Sequence, residues 1–232
     1  MRDGWSDAHR ASNNRYGNQL DEGSPRTRID SAKFDLDAPP CAHPAEAKGD
    51  DAVKDSITFV LANFPLTLLI IGLIVSLIVI GRLPKPVAPA LVVEVLLAWF
   101  VFFNVGVSNT YNFIAHAFFG AMSAQYIGWA DSPFQFEVAA ASLGFAAVGF
   151  VAAFRSLEVR LCAILGPSVF TLGDAYGHVR EMITANNFAP GNAGLIFYAD
   201  IFIPVIGFVL LWMQHRFGQP WTRDRRKSPY VR

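Results

Sequence analysis

From Ser56 to Gly81 the chain runs for 26 residues without a charged side chain, and Arg82 ends the run. About 20 apolar residues at a rise of 1.5 Å each cross the hydrocarbon core of a bilayer. Such a segment has no water to bond its backbone, so it folds as a helix. Four more segments of this kind follow, at 89 to about 109, 133–154, 160–182 and 194–215. Composition agrees, with 53% hydrophobic and 16% charged residues. The predicted fold is all-α: a polytopic transmembrane helix bundle of about five spans plus one re-entrant or interfacial helix.

The chain divides by charge. Half of its charged residues fall within 1–55, a polar stretch with Gly23-Ser-Pro25 and Ala38-Pro-Pro-Cys41. That composition cannot bury enough apolar surface to offset its ordering entropy, which predicts a disordered N-terminal tail. Residues 56–216 form the transmembrane domain, and 217–232 a basic cytoplasmic tail. No apolar stretch follows Met1-Arg-Asp-Gly-Trp5, so targeting falls to the first span. The formal net charge is zero, which offers nothing to nucleic acid; the predicted partner is the lipid bilayer. Cys41 and Cys162 do not make a disulfide framework, and Cys162 reads as a small core residue.

Local signals place the breaks. Asn63 and Pro65 predict a kink near the start of the first span. Leu83-Pro-Lys-Pro-Val-Ala-Pro89 is a turn, with Pro89 suited to a first helical turn. In Asp131-Ser-Pro-Phe-Gln135, Ser132 fits an N-cap, Pro133 the first helical position and Gln135 a capping box. Ala140 and Gly144 would allow close helix contact. Gly166-Pro167 predicts a kink, and Asn186 to Asn192 a loop.

Whether 111–129 crosses decides between five and six spans, and the positive-inside rule arbitrates. Five crossings put Arg82, Lys85, Arg155, Arg160 and the basic C-terminal tail on one side. Six would send the Arg82 and Arg155 loops to opposite sides. The expectation is therefore five spans in the plasma (inner) membrane, N-terminus outside and C-terminus cytoplasmic. Residues 111–129 become the re-entrant or interfacial helix on the outer face.

This topology gathers ionisable residues at one depth. Asp174, His178 and Glu181 are spaced i, i+4 and i+7, within about 60° on one helical face. Glu137 and Asp200 reach the same level from neighbouring spans, and His116 from the outer segment. Ionisable groups inside a span face the bundle interior and pair, because facing lipid costs several kcal/mol. The candidate binding residues are His116, Glu137, Asp174, His178, Glu181 and Asp200. Expected pairings are His178 with Asp174 and Glu137, and Arg180 with Asp200. Glu94 stands apart in the cytoplasmic half of its span and is assigned no role.

Three functions compete. The first is binding or transport of a small solute or proton through an outward-facing carboxylate–histidine pocket. Five spans is few for a lone transporter, so a homo-oligomer or partner subunit is expected with it. The second is a haem- or metal-binding membrane oxidoreductase, with His116 and His178 as haem ligands or the whole carboxylate–histidine set around a metal. The third is a non-catalytic accessory subunit. Sequence alone assigns no cofactor.

Three strings, Ile127-Gly-Trp129, Ser132-Pro-Phe-Gln-x-Glu137 and Gly173-Asp-Ala-x-Gly-His178, resemble an uncharacterised prokaryotic family of small multi-span membrane proteins. The resemblance covers roughly residues 65–215. It implies the membrane class and draws attention to Glu137 and His178. It implies no reaction, substrate or cofactor.

Overall fold

The computed structural model describes residues 47–217, of which the ordered elements are all helical. Helix α1 spans Ala47–Ala62 and α2 Phe64–Arg82. The predicted break falls at Asn63, whose amide folds back onto the Phe59 carbonyl, and Pro65 sits in the first turn of α2. Helix α1 begins inside the stretch expected to be disordered. That expectation weighed the polarity of 47–55 and missed its continuity with the apolar run; residues 1–46, with Cys41, lie outside the described residues.

The second span is longer than expected. Helix α3 (Pro89–Phe100) continues through a π-helical segment (Val101–Val107) into α4 (Ser108–Phe118). Residues 111–118, read as the start of a separate segment, prolong this helix, whose Asn112 and His116 meet Ser142 and Gln135. Only α5, Gly120–Ile127, remains of the separate piece. Helices α6 (Phe134–Ala152), α7 (Leu157–Thr184), the single turn α8 (Pro190–Ala193) and α9 (Leu195–Phe217) complete the order. Four segments are long and apolar enough to cross a membrane: Phe64–Arg82, Pro89–Phe118, Phe134–Ala152 and Pro190–Phe217. Their outward surface is apolar, as with the exposed Ile70, Ile74, Leu77 and Ile78 on α2.

Neighbouring helices run antiparallel. Asn104 Nδ2 reaches the Pro65 carbonyl at 3.1 Å, and Gly72 lies against Trp99 and Phe103. Asn112 bonds Ser142 at 2.9 Å, while His116 meets Gln135 at 2.5 Å. The small-residue seam of α6 is Ala139, Ser142, Ala146 and Gly149, all buried. A Cβ at Gly149 would lie 2.7 Å from the Gly106 backbone nitrogen, so two backbones touch here. The contact expected at Ala140 and Gly144 falls instead on the exposed side of α6, one helical position off the seam.

Helix α7 is 28 residues long and too polar to count among the four apolar segments, yet it runs along α9 for most of that length. At one end Arg160 meets Gln214, and at the other His178 faces Asp200. The separation from Arg160 to His178 is about 27 Å along a helix. Helix α7 passes through Pro167 without a break in its assignment.

Arg160, expected in a charged loop, has 0% of its side chain exposed. Its guanidinium takes both oxygens of Glu94, at 3.0 and 2.5 Å, and the Gln214 carbonyl at 2.9 Å. The Gln214 amide also donates to Glu94. Three helices are thus tied together by one planar, bidentate contact. Beyond it lies the apolar core of Leu97, Phe100, Val101, Ile164 and Leu211. Cys162, by contrast, is exposed on the outer face of α7 and does not join that core.

Removing one partner of a buried ion pair strands the other at a cost of about 3–5 kcal/mol. Arg160→Met should therefore lower the thermal midpoint of the purified protein strongly. The double change Arg160→Met with Glu94→Leu should recover most of the loss, because it leaves no buried charge.

Candidate functional site: a polar cavity at one end of the bundle

The opposite end of the bundle holds a cavity of about 550 Å³. Its floor is Phe100, Ile164, Ile203 and Pro204, and its walls come from α1, α4, α5, α6, α7 and α9. His116, Asp174, His178 and Asp200 all line it. Glu137 is exposed on α6 and Glu181 sits a turn beyond the cavity, so neither is brought to it. Four of the six sequence candidates therefore converge. Arg180 is exposed, and no ion pair joins it to Asp200 among the described residues.

His178 is the most constrained of these groups. Its Nδ1 lies 2.7 Å from Asn192 Oδ1, and its Nε2 lies 3.6 Å from Asp200 Oδ2. Asn192 is 0% exposed and wholly committed. Its Nδ2 donates to the carbonyls of His178 at 3.2 Å and Asn187 at 2.9 Å, which fixes Oδ1 as the acceptor end. Trp129 Nε1 donates to the same oxygen at 3.0 Å. An amide oxygen can only accept, so His178 Nδ1 carries a proton. Nε2 then points either a lone pair or a second N–H at the Asp200 carboxylate. The two groups are set at ion-pair distance rather than in direct hydrogen-bond contact. Asp174, one turn before His178 on α7, has no ion-pair partner among the described residues.

The loop after α7 is built to hold this arrangement. Asn187 donates to the carbonyls of Ile127 and Gly128 at 3.0 and 3.2 Å, and its Oδ1 takes the Ala189 amide at 3.0 Å. Gly128 has φ +78°, a left-handed conformation that glycine adopts freely, and a Cβ there would strike Asn187. Gly191 lies so close to Tyr126 that a Cβ would approach its ring to 2.6 Å. Trp129 also stacks near His178, with ring centroids 5.5 Å apart.

Sequence reasoning missed Asn192, Trp129 and Gln135. Asn192 read as a turn residue, although an Asn-rich loop beside a span with an internal histidine is itself a signal for a buried hydrogen-bonding partner. Gln135 was expected to cap α6, but its side chain bonds His116 and the helix starts without a side-chain cap. Among the described residues, no group of three or more His, Cys, Asp and Glu gathers closely enough to hold a metal ion. Both ring nitrogens of His178 already face protein partners.

A family model described as a family of unknown function (DUF6790) matches residues 62–220. The chain belongs to that family. The match covers α2 to α9 and hence nearly all of the cavity lining. No curated protein and no solved structure matches the chain.

Asn192→Ala would strand Trp129 Nε1, His178 Nδ1 and two carbonyls. A buried polar group left unsatisfied costs about 1–3 kcal/mol. The variant should unfold at a clearly lower temperature, whereas Glu137→Gln should unfold with wild type.

Proposed function

We propose that this DUF6790 member is a multi-pass membrane protein that binds a small solute, in the manner of a transport protein, within a cavity open toward the outer face. Asp174, His178 and Asp200 form its polar site, with His116 on the outer wall. One observation carries this reading: the cavity at this end of the bundle is lined by two carboxylates and two histidines. Groups of this kind are costly within a membrane, and their usual role there is a ligand or proton site. A volume of about 550 Å³ lies within the usual range for small-molecule sites.

The accompanying topology has five crossings, with α7 as the fifth. In its support, α7 lies alongside the apolar α9 from the Arg160–Gln214 contact to the His178–Asp200 contact. Lipid need not meet its charges, because Arg160, Asp174 and His178 face protein or cavity. Arg82, Lys85, Arg155 and Arg216 fall near the end opposite the cavity, and the positive-inside rule favours a cytoplasmic position for that end and an outer one for the cavity. Helix α5 then covers the outer end as the short interfacial helix.

Orientation is tested with Thr171→Cys, in the cavity wall, in a chain carrying Cys41→Ser and Cys162→Ser. A membrane-impermeant thiol reagent should label it from outside intact cells. Labelling only after the inner face is opened would reverse the topology.

Binding is tested by thermal stabilisation of the purified full chain with a set of anionic, neutral and cationic small solutes. At least one should raise the midpoint of wild type and of Glu137→Gln, but not of Asp200→Asn. Stabilisation by none of them, or undiminished stabilisation of Asp200→Asn, would overturn the binding reading.

A further inference from the structure

We infer that the ligand of this cavity is an organic cation: an amine carrying an aromatic or branched apolar body. The inference rests on the binding reading above and names the chemical class that the same site would take.

Charge is the first argument. Among the described residues no Lys or Arg lines the cavity, whereas Asp174 and Asp200 both do. Asp200 has His178 beside it, at 3.6 Å. Asp174 is left without an ion-pair partner among the described residues. A lone carboxylate in an apolar surrounding favours either a proton or a cation beside it.

Hydrogen-bonding direction is the second. Several polar side chains of the wall turn donors toward the protein. Asn109 donates to the Val105 carbonyl at 2.9 Å, Asn112 to Ser142 at 2.9 Å, and Ser123 to the Ala115 carbonyl at 3.1 Å. Asn104, in the π-helical segment of the wall, donates to the Pro65 carbonyl at 3.1 Å. Asp174 remains a carboxylate on the wall with no protein cation beside it among the described residues, and the ligand complementary to a carboxylate is a donor.

Shape is the third. A bare ammonium ion or proton would leave most of a cavity of about 550 Å³ unused. Phe64, Tyr111, Tyr126, Trp129, Phe134 and Phe170 line it, and they suit an apolar body as well as a cation over a ring face.

The test uses three probes that share one body and differ in charge: 2-phenylethylamine, 2-phenylethanol and phenylacetate. Binding to the full chain in lipid nanodiscs is read by calorimetry and by intrinsic tryptophan fluorescence. The amine should bind saturably, and the alcohol and acid much more weakly. A charge-assisted hydrogen bond contributes about 1.5–3 kcal/mol, so Asp174→Asn should weaken the amine roughly ten- to a hundredfold. Asp174→Glu keeps the charge and should retain most of the affinity, which separates loss of the site from loss of fold. Equal binding of all three probes, preference for the acid, or amine affinity unchanged in Asp174→Asn would overturn the inference. If the amine fails while a neutral or anionic solute stabilises the protein through Asp200, the cation class is wrong and the binding site stands. If no solute binds at all, both readings fall.

Discussion

The side-chain amide of Asn192 is the contact on which the rest of the cavity depends. It takes donors from Trp129 and His178 and gives donors to the carbonyls of His178 and Asn187, so its four bonds tie the turn before α9 to α7 and to the segment after α5. Away from water each of those groups needs a protein partner, and an alternative register would strand several at once. Fixing Asn192 fixes how far α9 begins from the outer third of α7. That offset is what presents Asp200 to His178 Nε2 rather than to a residue one turn away. The tautomer of the histidine is set by the same amide. A packing device and a chemical device are here one set of bonds.

The other end of the bundle repeats the logic with charge. Arg160, Glu94 and Gln214 join α7, α3 and α9 through a bidentate contact. A buried ion pair adds little net stability over a well-packed apolar substitute, because desolvation offsets most of the attraction. Its effect lies in direction: only one rotation of α7 about its axis puts Arg160 on Glu94. With Asn192 holding the far end, the polar helix α7 is fixed in both rotation and translation. The apolar helix α6 is positioned by backbone contact at Gly149 and Gly106 and by the Asn112–Ser142 and His116–Gln135 contacts.

Much of this was legible in the sequence. Uncharged runs located α6, α9 and the end of α2 to within a few residues, since length and apolarity suffice for helices of that kind. Asp174, His178, Asp200 and His116 were legible as a group, since ionisable residues in apolar runs at one depth have few places to go. The rest depended on partners that pattern cannot show. The periodicity of α6 offered two small-residue faces, and the one at Ala140 and Gly144 lost because the glycine meeting Gly149 lies 43 positions earlier, at Gly106. Arg160 looked like a loop cation because charge before an apolar run ordinarily is one, and only the fold supplies Glu94. Gln135 stood where a capping residue stands, but His116 was a better partner than a helix end that a short turn already satisfies.

The π-helical segment Val101–Val107 links these two halves of the molecule. A π turn is a rare insertion in an α-helix and is found most often where a helix serves a site. Here it falls between the inner core, to which Val101 and Val105 belong, and the cavity wall, to which Asn104 belongs. The helix enters it from the Glu94 end in register with Arg160 and leaves it toward the Asn112–Ser142 and His116–Gln135 contacts. An uninterrupted α-helix of the same residues would rotate one set of contacts relative to the other by the extra residue, about 100°. The segment thus lets one helix satisfy an ion pair at its first end and a polar wall at its second. Asn104, at the middle of that insertion, holds the adjacent span through Pro65.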